Sequence, residues 1–339
     1  MPDNRRYIFL DSSRGIAAFV VLLAHTIKTF SIINYENFPL NVFWDSEAAV
    51  LYFFILSGFV LNESLDKKKL SLSTYSKFIL RRILRIYPAF IVILTLAFLG
   101  YRLIYFPSNN WLSMFWQTIP SFSDLLKQCI LIIRLPNDAT LRILPHDWTL
   151  SIEIMISLFL PFMVAIRKIN TFLLLAIVFI CVKLLPIETF FFDFALGAVI
   201  STEKKKLISF YEKIFLWKKI FFVLLAIILL LIDKISTETN SILTTVFIHP
   251  KSIGLGILLV LLLSNQYLQK ILSNEFLHFQ GRISYSVYLI HFVIIGIVYH
   301  FFPLIDFLPA FILIYSSTIL FSYISYEFIE KRCIALFRS

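Results

Sequence analysis

The chain has 339 residues, of which 59% are hydrophobic, 17% aromatic and only 15% charged, and its formal net charge is +10. Soluble domains contain about 45–50% apolar and about 25% charged residues. The composition, with a mean hydropathy of +0.84, therefore excludes a soluble globular enzyme, a disordered protein and a disulfide scaffold. A polytopic membrane protein is the class that remains.

Apolar runs recur along the whole chain, and a spanning helix needs about 20 predominantly apolar residues. They predict an all-α transmembrane helix bundle of about ten spans, forming a single domain over residues 1–339 with no soluble domain. The spans are expected at about 8–33, 44–62, 87–106, 147–166, 171–187, 190–202, 218–233, 252–269, 283–303 and 309–329. The run 124–135 is apolar but short, and is an eleventh span, a re-entrant helix or an interfacial one.

Basic clusters orient these spans, because Lys and Arg concentrate in cytoplasmic segments of membrane proteins. The clusters occupy positions 5–6, 67–85, 167–168, 204–219 and 331–338. Ten crossings place all of them on the cytoplasmic side, whereas a crossing at 124–135 would turn every later cluster outward. We therefore predict ten crossings of the inner or plasma membrane, with both termini in the cytoplasm.

The first span contains ionisable residues, which are costly within a bilayer and are therefore functional candidates. Arg14 and His25 are eleven positions apart, which on a helix leaves about 20° of rotation and about 16 Å of axial distance. Asp11 is placed to pair with Arg14 on the helix surface. An arginine suits a phosphate ligand, and a histidine suits general base catalysis. The alternative is that Arg14 extends to the membrane surface and His25 packs against a carbonyl.

The segment 77–88 precedes the third span and is basic on one helical face. Lys77, Arg81 and Arg85 recur every four residues, with Arg82 alongside, and Pro88 is placed to open the next span. The pattern indicates either an interfacial helix against anionic lipid or a rim that binds phosphate groups.

Two later segments place further polar groups in apolar helices. In the segment 146–162, Glu153 lies within the span and Trp148 fits an interfacial aromatic belt. In the segment 282–295, Tyr288 and His291 are three residues apart and able to contact each other. For both segments, structural pairing between helices remains the alternative to a functional site. The small pair Ser57-Gly58 predicts close helix packing in the second span.

Several other chemistries have no sequence support. The three cysteines lack metal-ligand spacing, and no phosphate-binding glycine loop, H-E-x-x-H motif or nucleophile elbow is present. We expect no metal and no permanently bound cofactor. Nucleic acid is also an unsuitable partner, since the basic residues lie beside spans and not on a soluble face.

The ordered set of these segments resembles the acyltransferase-3 family of bacterial integral membrane acyltransferases, from about residue 6 to 336. LDSSRGIAAFVVLLAH resembles its Arg-x10-His opening motif, YFFILSGFVL its second-helix signature and FILRRILRIYPAF its R-x-x-R-x-x-P block. WTLSIEIMISLFLP resembles its Trp–Glu block, FDFALG and RISYSVYLIH its late motifs, and SYEFIEKRCIAL its closing I-E-K-P. The sequence departs from the family at Ile156-Ser157 and Arg332, which stand where F-Y and Pro are usual.

The resemblance implies transfer of an acyl group, usually acetyl from acetyl-CoA, to a hydroxyl of a cell-surface or lipid-linked glycan. It implies His25, Arg14 and Glu153 as the catalytic set. Binding of the phosphate groups of the donor is expected at Arg82, Arg85 and the adjacent Arg81. Trp148, Tyr288 and His291 are expected on the acceptor side. Acyl-CoA, a carbohydrate and the lipid bilayer are thus the expected partners.

Two alternatives use the same polar residues. A transporter or flippase for a lipid-linked glycan would line its pathway with them. A structural scaffold would not bring them into a common cavity. The identity of the acceptor, the length of the acyl group, a direct or covalent route and the oligomeric state stay open at this stage.

Overall fold

The computed structural model describes residues 7–30, 43–66, 68–69, 71–104, 112, 119–131, 143–184, 189–235 and 250–336, with the side chains of 232–235 left aside. The regular elements in these ranges are helices. They are α1 (Ile8–Phe30), α2 (Ser46–Asp66), α3 (Leu72–Leu103), α4 (Phe122–Cys129), α5 (Trp148–Ile169), α6 (Thr171–Leu184), α7 (Phe190–Lys213), α8 (Leu216–Ile235), α9 (Pro250–Ser264), α10 (Gln266–Leu272), α11 (Glu275–Phe301) and α12 (Phe307–Ser325). A π-helical turn (Tyr326–Glu330) and α13 (Lys331–Ala335) continue α12. The all-α membrane class predicted from composition is confirmed.

Six segments within the described ranges are long and apolar enough to cross a membrane: α1, α2, α3, α5, α11 and Phe307–Ala335. The pair α9 and α10 adds a seventh if it is counted as one span, although it is bent by 93°. The helices α6, α7 and α8 coincide with expected spans, but α6 has only 14 residues and the other two carry several charges. The count of ten crossings and the orientation of the termini stay predictions.

The short run near 124–135 overlaps α4, which has eight residues and ends at Cys129. At 1.5 Å per residue it covers about 12 Å, well below the roughly 30 Å of a hydrocarbon core. Helix α4 by itself is therefore too short to cross, and the expectation that the run 124–135 does not cross stays a prediction. Positions 132–142 lie outside the described residues.

Two expected boundaries were wrong. Pro88 does not open a span, because α3 runs through it from Leu72 and joins the basic segment to the apolar one. The expected span at 190–202 does not end at position 202 either, because α7 continues to Lys213 and includes Lys204. The ammonium group of Lys204 is 2.7 Å from a carboxylate oxygen of Glu63 on α2.

The chain divides into two compact units, one of residues 1–17, 47–75 and 156–278 and the other of residues 18–46, 76–155 and 279–339. This division into compact units does not test the prediction of a single domain over 1–339, which stays a prediction.

In the first unit, α2 and α7 approach closely through two glycines. A Cβ atom on Gly58 would lie 2.2 Å from the carbonyl oxygen of Phe194, and one on Gly197 would lie 1.9 Å from the carbonyl oxygen of Ile55. Only glycine fits at both positions. The close packing predicted from Ser57-Gly58 is confirmed, and it is the small-residue packing typical of membrane helices.

In the second unit, α11 is fixed to its neighbours by polar contacts on two consecutive residues. The hydroxyl of Tyr285 donates to the carbonyl oxygen of Ile86 on α3, at 2.7 Å. The hydroxyl of Ser286 donates to the buried carboxylate of Glu330 in the π-helical turn. These bonds set the rotation of α11, and with it the direction of the side chains one turn later in the sequence.

Candidate functional site

Three histidine side chains converge in the second unit from three separate elements. Nδ1 of His25 on α1 is 3.0 Å from Nε2 of His291 on α11, and the two rings stack at a centroid distance of 5.2 Å. His146, in the turn before α5, places its ring centroid 5.1 Å from that of His291. His146 and His291 are buried, whereas His25 keeps part of its surface exposed. His25 is therefore the least buried of the three histidines.

His146 sits in an apolar and aromatic enclosure. Its ring lies edge-on to that of Tyr288, with centroids 5.0 Å apart, and 5.8 Å from the ring of Phe292. Among the described residues, the backbone of Leu289 is the polar group close to a ring nitrogen of His146, and neither nitrogen makes a well-aligned hydrogen bond. Burial holds the pKa of His146 well below its usual range, and the nearby imidazoles of His291 and His25 act in the same direction. A neutral imidazole with a free lone pair is thus available beside His291.

The turn that carries His146 is held in place by α4. Gln128 on this helix is buried, and its side-chain carbonyl accepts from the backbone N–H groups of Ile143 at 3.1 Å and Leu144 at 3.4 Å. The helix itself begins with a capping box, in which Ser121 and Asp124 satisfy each other's backbone N–H groups. A helix too short to cross the membrane therefore positions a candidate site residue.

Tyr288 on α11 and Thr149 on α5 connect the two helices through a hydrogen bond between their hydroxyl groups. Their hydroxyl oxygens are 2.9 Å apart, and Thr149 also donates to the backbone carbonyl of His146 at 3.0 Å. Tyr288 is buried, and its ring centroid lies 5.8 Å from that of His291, so the expected contact between them is confirmed. Trp148, the first residue of α5, is only partly buried.

Arg82 on α3 and Glu153 on α5 form an ion pair in the second unit. The side chains are 9% and 22% exposed, respectively, so both charges are largely removed from water. The sequence assigned these residues to different ends of the reaction, with Arg82 on the donor and Glu153 in the catalytic set. The structure places them together, and the guanidinium of Arg82 is at least partly committed to a carboxylate.

The neighbouring residues on α3 present their charge outward. Lys77, Arg81 and Arg85 are all exposed, whereas Arg82 is buried. The four-residue spacing therefore produces the basic face that the sequence predicted, with Arg82 turned to the interior. Arg81 and Arg85 are the two arginines of this helix segment with guanidinium groups accessible to an anion.

Arg14 lies on α1 in the first unit and pairs with Asp11, as expected from their spacing, at 3.2 Å. Both Arg14 and His25 belong to one continuous helix. Arg14 has a side chain that is 16% exposed.

Sequence reasoning missed His146 as a member of the histidine cluster, although it lies two residues before Trp148. The signal available was a histidine just before an apolar span, and such a histidine does not by itself identify a partner. Within the described ranges, no group of three or more His, Cys, Asp or Glu side chains has an arrangement that could hold a metal ion. The chemistry that the three imidazoles can supply is proton transfer to and from a hydroxyl or thiol.

Comparison with known proteins gives one assignment. The model of the Acyl_transf_3 family, described as an acyltransferase domain, matches residues 7–327, which is nearly the whole chain. No curated protein and no solved structure shows a significant match. The matched range includes the three histidines, the ion pair and the basic face described above. The chain therefore belongs to the acyltransferase-3 family and is a multi-pass membrane acyltransferase.

Proposed function

We propose that this protein is an O-acyltransferase that moves an acyl group, most simply acetyl, from acyl-CoA to a hydroxyl of a cell-surface or lipid-linked glycan. The observation that carries the proposal is the convergence of His25, His146 and His291. Family membership supports acyl transfer in general, and favours it over the transporter alternative. The donor, the acyl group and the class of acceptor are the parts that need experiment.

His25 is the proposed general base. It is the partly exposed member of the cluster, and its Nδ1 atom is within hydrogen-bonding distance of Nε2 of His291. As the acceptor oxygen attacks the thioester carbonyl, its proton passes to His25 and the carbon–sulfur bond breaks. The CoA thiolate then takes that proton, so an ester and a free thiol are formed without any other reactant. Positioned proton transfer of this kind contributes typically 10²–10⁴-fold to a rate.

The donor is proposed to bind through its phosphate groups at the exposed guanidinium groups of Arg81 and Arg85. Arginine donates paired hydrogen bonds to phosphate oxygens. We place this face in the cytoplasm, where acyl-CoA is made, which agrees with the orientation predicted from the basic clusters. Arg14 is proposed as a further donor-binding residue, because it matches the arginine of the family's Arg-x10-His motif.

Acceptor contacts are proposed at Trp148, Tyr288 and His146. Tyr288 and His146 are buried beside the imidazole cluster, and neither ring nitrogen of His146 makes a well-aligned hydrogen bond among the described residues. An imidazole in this state binds a sugar hydroxyl by accepting or donating one hydrogen bond. Trp148 supplies an aromatic face, on which a sugar ring can stack.

The test uses purified protein in lipid nanodiscs, with acetyl-CoA labelled in the acetyl group and a panel of alkyl glycosides. We expect release of free thiol and transfer of label to a glycoside, and both should be lost in His25→Ala. His300→Ala is the matched control, because His300 is an exposed histidine on α11. Transfer by His25→Ala at the wild-type rate would overturn the role of His25.

A second measurement separates the enzyme from the transporter. CoA should raise the apparent unfolding temperature of the enzyme as the CoA concentration exceeds its Kd, because a ligand that binds the native state stabilises that state. A transporter predicts no stabilisation by CoA, and it predicts movement of a lipid-linked glycan across a bilayer in the absence of CoA.

A further inference from the structure

The hydrogen bonds of His291 determine which nitrogen of His25 carries a proton. Nδ1 of His291 lies 2.7 Å from the backbone carbonyl oxygen of Tyr288 and 3.1 Å from that of Val287. A carbonyl oxygen only accepts, so Nδ1 of His291 must carry the hydrogen. A neutral imidazole has a single N–H group, and Nε2 of His291 is consequently a lone-pair acceptor.

The neutral state of His291 follows from its surroundings. The side chain is 0% exposed, and its ring is adjacent to two further imidazoles and the ring of Phe292. A buried charge without a compensating partner is strongly unfavourable. Among the described residues, the groups that contact this ring are imidazoles, aromatic rings and carbonyl oxygens, and no carboxylate contacts it.

The contact between the two histidines then has one consistent assignment. Nδ1 of His25 is 3.0 Å from Nε2 of His291, and a hydrogen bond at this distance needs one hydrogen between them. Since Nε2 of His291 has none, His25 must donate from Nδ1. The remaining nitrogen of neutral His25, Nε2, therefore carries its lone pair.

We propose that His291 is a positioning residue that fixes His25 in the Nδ1–H tautomer, so that Nε2 of His25 accepts the proton of the acceptor hydroxyl. This inference rests on the proposed function and adds the identity of the basic atom. After proton uptake, His25 is a cation that donates from both nitrogens. Its bond to His291 becomes charge-assisted and stronger, so the contact stabilises the state formed during the reaction.

Substitutions at position 291 separate this role from packing. His291→Gln keeps an amide oxygen near the original place of Nε2, which can accept from His25. His291→Leu removes the acceptor and fills the site with an apolar side chain. We expect His291→Leu to lower kcat for thiol release from acetyl-CoA by about 10²-fold or more, with KM for acetyl-CoA unchanged. His291→Gln should recover at least about tenfold of that loss, and His300→Leu should match the wild type.

The tautomer itself is measured directly on the wild-type protein, by solid-state NMR with ¹⁵N-labelled histidine in lipid bilayers. The resonances of His25 are assigned by their loss in His25→Gln. At neutral pH we expect a protonated Nδ1 and an unprotonated Nε2 at His25. A protonated Nε2 with an unprotonated Nδ1 would overturn the inference, and this outcome does not depend on the folding of any variant at position 291.

The arms of the experiment distinguish the two proposals. If His25→Ala retains wild-type thiol release, the proposed function of His25 fails. If His25→Ala is inactive but His291→Leu keeps the wild-type kcat, only the positioning role of His291 fails. Equal losses in His291→Leu and His291→Gln would also contradict that role, because they would show that an acceptor at the Nε2 position is irrelevant.

Discussion

The ion pair between Arg82 and Glu153 predicts a specific hierarchy of stability losses. Glu153→Gln removes the carboxylate that pairs with the guanidinium of Arg82, whose side chain is 9% exposed. Removing one partner of a buried pair costs about 3–5 kcal/mol, because the remaining charge is uncompensated. Arg82→Gln leaves Glu153, whose side chain is 22% exposed, and water reaches this carboxylate more easily. The loss of stability in Arg82→Gln should therefore be smaller than that in Glu153→Gln.

The double variant Arg82→Gln/Glu153→Gln completes the cycle. It removes both charges of the pair, so it should be more stable than Glu153→Gln alone. The coupling free energy between the two sites should fall within the 0.5–3 kcal/mol range observed for residues in direct contact. Arg81→Gln is the matched control, since Arg81 is an exposed neighbour on the same helix, and its effect should stay within about 0.5 kcal/mol.

Unfolding of the four proteins and the wild type is followed by tryptophan fluorescence, in mixed micelles with increasing denaturing detergent. Thiol release from acetyl-CoA is measured on the same samples below the unfolding transition. A stability of Glu153→Gln within 0.5 kcal/mol of the wild type, or strictly additive losses in the double variant, would refute the reasoning. Either result would indicate that Glu153 does not stabilise the fold through Arg82, and that its role is purely catalytic.

Three further predictions follow from other parts of the fold. Gly58→Ala should destabilise by about 1–3 kcal/mol, because its Cβ meets a backbone carbonyl at 2.2 Å, whereas Gly100→Ala, with no atom within 4 Å of the added Cβ, should be neutral or stabilising. Thermal unfolding compares them. Gln128→Ala should accelerate amide exchange at the two N–H groups it holds and lower thiol release, and unchanged exchange would contradict this. The combined variant Arg81→Gln/Arg85→Gln should raise KM for acetyl-CoA about tenfold or more and weaken its salt dependence, with kcat unchanged, and an unaltered KM would exclude this donor surface.

Much of the helical architecture could be predicted from the sequence, because apolar length and charge spacing are local properties. The first span, the close packing at Gly58 and the outward basic face of α3 all followed from such patterns. The boundaries failed where charged residues were expected to end a helix. Lysine favours the helical state, so α7 continues through Lys204 to Lys213. The contact of Lys204 with Glu63 could not be predicted, because the two residues are 141 positions apart in the sequence.

The candidate site was predictable in its members but not in their pairing. His25 and His291 were each identified as ionisable groups within apolar helices, yet their contact joins residues 266 positions apart. Likewise, Arg82 and Glu153 were identified separately and given separate roles. His146 was the least predictable, because its place in the cluster depends on Gln128 of α4 and on the turn between them.

The most direct test of the account is a structure of the protein in lipid with a non-hydrolysable thioether analogue of acetyl-CoA. A hydroxyl must fit between the base and the reacting carbonyl, with a hydrogen bond of about 3 Å on one side and an attack distance of about 3 Å on the other. We therefore predict the carbonyl carbon within about 6 Å of Nε2 of His25, and the phosphate groups at Arg81 and Arg85. An analogue bound with its carbonyl remote from His25 would contradict the central claim that this imidazole is the base.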